Sequence, residues 1–344
     1  MIVLSNSSGV VTHSARLRTG RHPSPSLSLP SEAIRRKYVG RSCVVPDSPR
    51  PGIAYGRIVF GNALIGVDGR DGGRDAIALA RLLAGPNARF TLAHVAAGPV
   101  SWRERHVAEE RGFDRAASML AAERERAAID AEIVCVEGTS PARGLHDLAK
   151  QREADLIVVG STRHAFLGRV LLGDDARASL EGAPCAIAVA PHGYAERPSR
   201  LVEIGVGYDG SAEAEHALAV ARELASRADT SIKALWVVSP EDVRQQEPIP
   251  PDLPVTAIRL VGYCSDRAGA LHEVAGEAVY GEPATELSRF SSDVDLLVLA
   301  PRSNGPPRRS VHDSIPRHLV GHAACPLLVL APTGVDVASF VCAA

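Results

Sequence analysis

At 344 residues the chain is long for one ordinary domain and predicts two. Hydrophobic residues make up 45% and aromatic ones only 4%, so the cores are built from Ala, Val, Leu and Ile, a composition that suits a buried parallel sheet under helices. A formal net charge of −2 and a pI near 6.6 exclude a global drive toward nucleic acid or an anionic membrane, so any anion site must be local.

Residues 1–56 are rich in Ser, Pro and Arg, as in Arg21-His-Pro-Ser-Pro-Ser-Leu-Ser28 and Pro46-Asp-Ser-Pro-Arg-Pro-Gly52, with no sustained apolar period. Such a segment cannot bury enough surface to offset its ordering entropy, and a disordered basic tail is expected. Its basic residues could touch an acidic partner or nucleic acid. Charged tails are mostly solvated, and that reading, or a stretch read from too early a start codon, is preferred.

From residue 57 strands and helices alternate. An apolar strand over Ala63 to Asp68 leads to a helix from Gly72 to Leu83, a strand from Arg89 to Ala96, and a long charged helix from Arg105 to Ile129. Then come a strand from Glu132 to Val136, a helix from Pro141 to Gln151, the strand Asp155 to Gly160, a helix from about Asp174 to Glu181, and the strand Ala186 to Ala190. Strands recur near Val202 to Tyr208, Ser231 to Val238, Glu277 to Tyr280, Asp295 to Ala300 and Leu327 to Leu330. Between Pro240 and Gly276 the prolines Pro248, Pro250, Pro251 and Pro254 predict a loop, with helix only over Asp266 to Ala275.

The second series repeats the first. Gly66-Val-Asp-Gly69 matches Gly207-Tyr-Asp-Gly210, Ala154-Asp-Leu-Ile-Val-Val-Gly160 matches Val294-Asp-Leu-Leu-Val-Leu-Ala300, and Ala183-Pro-Cys185 matches Ala323-Ala-Cys325, at a shift of 140 or 141 residues. A near-constant shift implies a duplicated domain. The expected organisation is a tail over 1–56, one domain over 57–192, a second over 200–333 and a C-terminal tail over 334–344. Each domain is an α/β, doubly wound, five-stranded parallel sheet. Both end in an apolar strand that would otherwise be an exposed edge, which predicts an intramolecular pseudo-twofold pair.

Six cysteines are scattered without CxxC or zinc-like spacing, and no apolar run approaches the roughly 18 residues that span a bilayer. Met1-Ile-Val-Leu4 gives way at once to Ser-Asn-Ser-Ser8, without a signal-peptide apolar region. A cytoplasmic protein with buried thiols and no membrane partner is expected.

Ile65-Gly-Val-Asp-Gly69 and Val206-Gly-Tyr-Asp-Gly-Ser211 follow the first strand of each copy. With the strand ends Ala93-His-Val95 and Leu235-Trp-Val237, Ala154-Asp-Leu-Ile-Val-Val-Gly-Ser161, and Arg317-His-Leu-Val320 before Cys325-Pro326, they make residues 57 to 333 resemble two tandem universal stress protein domains. The resemblance implies the strand order 3-2-1-4-5. It also implies that in nucleotide-binding members the fourth strand ends in Gly, two residues, Gly, nine residues, then Gly and a hydroxyl residue. Their backbone amides and hydroxyl hold phosphates, while the aspartate after the first strand and the residue ending the second hold adenosine.

Carried onto this chain, the resemblance gives the first copy Asp68, Val95, Gly160, Ser161 and Gly173. Arg163 stands where the second glycine belongs and Asp174 where the hydroxyl belongs. A side chain at 163 denies the close backbone approach of a glycine, though a guanidinium can meet a phosphate from outside. A carboxylate at 174 repels phosphate, or simply caps a helix. The second copy keeps Asp209, Val237 and Ser314 but has Ala300, Ser303 and Asp313 at the glycine positions, with Pro306 and Pro307 in the loop. No Walker sequence or GxSxG elbow occurs, Gly66 to Gly73 does not meet the dinucleotide pattern, and His318 with His322 lack further metal ligands.

The expected function is a stress-response or signalling module, not an enzyme, with a degenerate, weak ATP site in the first domain. A second chain as homodimer partner and a protein partner of unknown identity are further expectations. The rivals are a nucleotide-independent scaffold and a slow ATP hydrolase. Limited proteolysis of the full chain should remove residues up to about 56 first without changing the cooperative unfolding of the remainder; a protected fragment beginning near Met1 would reveal an ordered element there.

Overall fold

The computed structural model describes residues 60–97, 105–161, 180, 182–197, 200–244, 253–300 and 314–331. The expected N- and C-terminal tails, Arg163, Gly173, and the helix from Asp174 to Glu181 apart from Leu180 lie outside them.

The first copy runs β1 (Phe60–Gly66), α1 (Asp71–Leu83), β2 (Ala84–Ala97), α2 (Arg105–Ala127), β3 (Ala131–Gly138), α3 (Pro141–Arg152), β4 (Leu156–Gly160) and β5 (Ala186–Ala190). A connector with a 3-10 turn over Tyr194–Glu196 follows. The second copy runs β6 (Glu203–Gly207), α4 (Ala212–Ala228), β7 (Ser231–Val238), α5 (Pro240–Arg244), α6 (Leu253–Gly269), β8 (Ala275–Tyr280), α7 (Pro283–Phe290), β9 (Leu296–Leu299), α8 (Ser314–His322) and β10 (Leu327–Val329).

Local sequence accounts for many boundaries. Pro141 sits at the start of α3, where its missing N–H costs nothing, and the Ser140 side chain accepts a hydrogen bond from the Arg143 amide at 3.3 Å. Ser211 caps α4 in the same way through the Ala214 amide at 3.1 Å. In α1 the apolar residues Ala76, Leu79, Ala80 and Leu83 recur at helical spacing and are fully buried.

One expectation is corrected. Helix does not run from Asp266 to Ala275; α6 begins at Leu253 and ends at Gly269, and residues from Ala275 are strand. Pro254 falls in the first turn, where proline is tolerated, so it does not break the helix. At the other end, a side chain on residue 276 would meet the Ala268 carbonyl oxygen at 2.0 Å, so β8 starts against the last turn of α6.

All strands join in one ten-stranded sheet of order β3-β2-β1-β4-β5-β10-β9-β6-β7-β8. Each half has the order 3-2-1-4-5 with parallel pairing. The halves meet where β5 and β10 pair antiparallel, Ile187 with Val329, Ala188 with Leu328 and Val189 with Leu327. A repeat shift of 140 residues maps Ala188 onto Leu328, so the pseudo-twofold axis passes through that pair. Helices cover both faces. One core holds α1, α2, α4 and α6 side chains from both copies, and the other holds Leu145 and Leu148 of α3, Leu287 and Phe290 of α7, and Leu319 and Val320 of α8.

The repeated aspartate before the fourth strand pins register. Asp155 accepts hydrogen bonds from the Gly61 and Asn62 amides at 2.7 and 3.1 Å, and Asp295 from Val202 and Glu203 at 2.7 and 2.9 Å. Each ties the start of its copy's first strand to the fourth. Of the described cysteines, Cys185 and Cys325 precede the two central strands, and burial pushes both thiols up to about 12. No helix among the described residues is long and apolar enough to cross a membrane.

Leu328 has no exposed surface, so Leu328→Ala should cost about 2–5 kcal/mol. Because the residue lies on the seam, urea denaturation should show one transition moved to lower urea; separate transitions for the two copies would contradict a shared core.

Candidate functional site

In a 3-2-1-4-5 sheet the chain reverses direction of travel between strands 1 and 4, leaving a crevice outside their C-terminal ends. β1 and β4 pair side by side as far as Ile65 and Val158, so Asp68, two residues beyond β1, and Ser161, one residue beyond β4, both follow the C-terminal ends of these neighbouring strands in the first copy. The Asp68 side chain is 49% exposed. Its Oδ1 accepts from the Arg70 amide at 3.0 Å, and its Oδ2 lies 3.8 Å from Arg70 Nε. Val95, near the end of β2, is half-buried against the core of the α3 face. Beside it, His94 Nδ1 is 2.9 Å from the Val67 carbonyl oxygen.

Ser161 is the unexpected feature. Its residue is 2% exposed, its amide donates to Ala190 at 2.9 Å, and its hydroxyl has no hydrogen-bond partner among the described residues. A buried hydroxyl without a partner carries a desolvation cost of about 1–3 kcal/mol. Gly160, expected only to free a phosphate amide, has a second duty. A Cβ there would lie 1.9 Å from the Gly72 carbonyl oxygen and 2.7 Å from Gly72 Cα, so the first turn of α1 rests directly on the end of β4.

The second copy builds the same place differently. Asp209 Oδ1 accepts from the Ser211 amide at 3.0 Å, repeating the turn of Asp68. Gly210 has φ +73°, and a Cβ on it would be 2.9 Å from the Trp236 ring. Trp236 is 6% exposed and meets Tyr208 edge to face at 5.5 Å and 79°. The Tyr208 hydroxyl donates to the Glu215 carboxylate, and burial with that bond pushes the phenol well above its ordinary range. Val237 is half-buried and Ser314 opens α8. At the repeat shift, buried Glu213 replaces Gly72 and Ala300 replaces Gly160, so the glycine-on-glycine contact is lost on both sides together.

The structure thus sets Asp68, Gly160 and Ser161 at one switch point, with Val95 on the neighbouring strand; Arg163 and Gly173 lie outside the described residues. Sequence reasoning missed Gly72, Trp236, Tyr208 and Glu215. The paired change of Gly72 to Glu213 and Gly160 to Ala300 was the signal available for the first.

The model of the universal stress protein family matches residues 60–191 and again 203–331. The chain belongs to the universal stress protein family. It is a tandem member with two such domains. Universal stress proteins of Mycobacterium bovis and Mycobacterium tuberculosis are 27% identical over 114 residues, a match spanning 33% of this chain and 38% of each relative. Among solved structures, a universal stress protein from Archaeoglobus fulgidus superposes with a TM-score of 0.57 at 16% identity, covering 78% of this chain and 98% of that one. A functionally unknown protein from Pseudomonas aeruginosa gives 0.55 at 14% identity, covering 81% and 95%. These likenesses show the shared fold.

Within this family frame, the Gly160 contact gives a direct test. Gly160→Ala should destabilise by at least the roughly 1–3 kcal/mol of ordinary overpacking, because the opposing atoms are backbone. Gly112→Ala in α2 has open space around it and should stabilise by about 1 kcal/mol. Thermal melts of both variants check the contrast; a neutral Gly160→Ala would refute the contact.

Proposed function

We propose that this tandem universal stress protein is a stress-response module that works by binding a small ligand rather than by turning it over. Its first copy carries a weak adenine-nucleotide site, and its second copy carries none. The observation that supports the first half is the buried Ser161 hydroxyl at the end of β4, without a hydrogen-bond partner among the described residues, on the strand next to the one that exposed Asp68 follows. A hydroxyl that gains a partner only when a ligand arrives favours binding by the full hydrogen-bond term.

The residues fit a nucleotide incompletely. Gly160 and Ser161 favour phosphate oxygens, and Asp68 with Val95 favours the nucleoside side, as the family resemblance implies. Arg163 and Asp174 oppose a glycine-lined cradle by bulk and by charge. In the second copy, the Trp236 and Tyr208 rings under the Asp209 turn, the Ala300 side chain, and the prolines of the following loop favour a scaffold role. Hydrolysis would require a base aimed at water, and the Asp68 carboxylate is already engaged by the Arg70 amide.

Calorimetric titration of the full chain with Mg-ATP tests the reading. Wild-type binding should be weak or undetectable. Arg163→Gly with Asp174→Ser relieves repulsion and adds a hydroxyl, each about 1 kcal/mol or more, so affinity should rise roughly tenfold to a hundredfold. Asp68→Ala should abolish that gain. Tight wild-type binding, or no response to the double substitution, overturns the proposal; accumulation of ADP would favour the hydrolase instead.

A further inference from the structure

The ten-stranded sheet ends at β3 on one side and at β8 on the other. β3 is guarded as free edges usually are: exposed Glu132 and Glu137 stand on it, and α2 beside it carries exposed Arg124 and Glu125. The β8 edge is different. Glu277 is the one charged residue of Ala275–Tyr280, and Tyr280 is 51% exposed. On α6, which packs along β8, Ile258 is 72% exposed. The Gly281 amide donates to the Val238 carbonyl at 3.1 Å, so the odd-numbered backbone groups of β8 face β7 and those of Gly276, Ala278 and Tyr280 face outward.

Side-chain directions follow from the cores. Ala278 packs in the core that holds α6 and Val279 in the other, so Tyr280 stands on the α6 face of the sheet. In α6 the buried residues Ala257, Cys264 and Ala268 mark the line turned to the core. Tyr263 and Arg267 come one residue before that line and lie toward the middle of the sheet, since Arg267 acts on Tyr208 just after β6. Ile258, Ser265 and Gly269 come one residue after it and therefore lie on the opposite flank, beyond β8. Gly262 shares that flank, and a Cβ on it would meet nothing within 4 Å. By helical spacing the charged residues Arg259, Asp266 and Arg267 fall away from it.

We propose that this edge docks a second copy of the chain, β8 pairing antiparallel with β8 of the second chain about a twofold axis at Ala278. Residues directly opposite in such a pair point to the same face, which limits the register. With Ala278 opposite its own counterpart, Gly276 stands opposite Tyr280, and each outward N–H and C=O of Gly276, Ala278 and Tyr280 gains a partner. Each tyrosine then lies beside a position that has no side chain, a pairing that suits an edge glycine. Glu277 falls opposite Val279, whereas an axis at residue 277 would oppose two carboxylates and leave Tyr280 unpaired. The same axis suits α6. A Cβ on Gly276 would meet the Ala268 carbonyl oxygen, so those two residues are level. From Gly276 to Ala278 is about 6.6 Å along the strand, or about four residues back along α6, which runs the opposite way. The axis therefore passes near residue 264 of α6, which brings Ile258 opposite Gly269 and Gly262 opposite Ser265 of the second chain, large against small, with no charge on the flank.

Sedimentation equilibrium of the full chain tests the interface. The wild type should form a closed dimer at about 100 μM or below, and Tyr280→Lys and Ile258→Lys, each of which sets a charge on the seam, should each weaken it by about tenfold or more. Val202→Lys, at an exposed apolar residue before β6 and away from the edge, should leave association unchanged. All three positions are exposed, so thermal melts followed by circular dichroism should show folded protein; if one of the edge variants does not fold, the other decides. A wild type that stays monomeric at about 100 μM, association that continues past the dimer, a dimer indifferent to both edge substitutions, or one weakened equally by Val202→Lys overturns the proposal.

Discussion

Ala186 to Ala190 are all buried, so both edges of this strand must find backbone partners inside the protein. β4 satisfies one edge in parallel register, and the other faces β10 of the second copy. The same demand acts on β10, which has β9 on one side and β5 on the other. Antiparallel pairing about Ala188 and Leu328 meets both demands at once and makes one sheet of two domains. The shared core, the orientation of the copies and the placing of their switch points on opposite sides of the pseudo-twofold axis all follow from that seam.

Duplication leaves two sites free to diverge while the frame stays common. In the first copy Gly72 and Gly160 bring α1 down onto the end of β4, and the Ser161 hydroxyl is left buried without a hydrogen-bond partner among the described residues. In the second, Glu213 and Ala300 stand at those places, and the turn after β6 rests on Trp236 instead. About one helical turn later, Asp75 grips the connector where the second copy has His216. The helix after the first strand therefore carries much of the difference between the copies, because it touches the switch point with its first turn and the chain leaving the sheet with its second.

Much of the fold was legible because apolar runs such as Ile157 to Val159 and Leu296 to Leu299 are buried on both faces and admit few other placements. The proline-rich stretch misled because proline bars a helix interior yet suits a first turn, and nothing local says which position Pro254 takes. Asp155 and Asp295 were visible as a repeated motif, but their work as register pins depends on amides more than ninety residues away. The candidate site was half legible. Asp68 and Gly160 stand out by type and spacing, whereas the buried state of the Ser161 hydroxyl and the ring contact under Gly210 depend on distant elements.

From the sequence by itself came the duplication, the order of strands and helices, and the residue types at each strand end, since these rest on periodicity and on a constant shift between like motifs. Only the tertiary structure decided the antiparallel register of β5 on β10, that Gly160 bears on Gly72, and that Asp75 meets Gly193, Ala195 and His192. Those contacts join residues far apart in the chain. Periodicity reports which face of an element is buried, but distance and direction across the packed core determine what each buried group finds there.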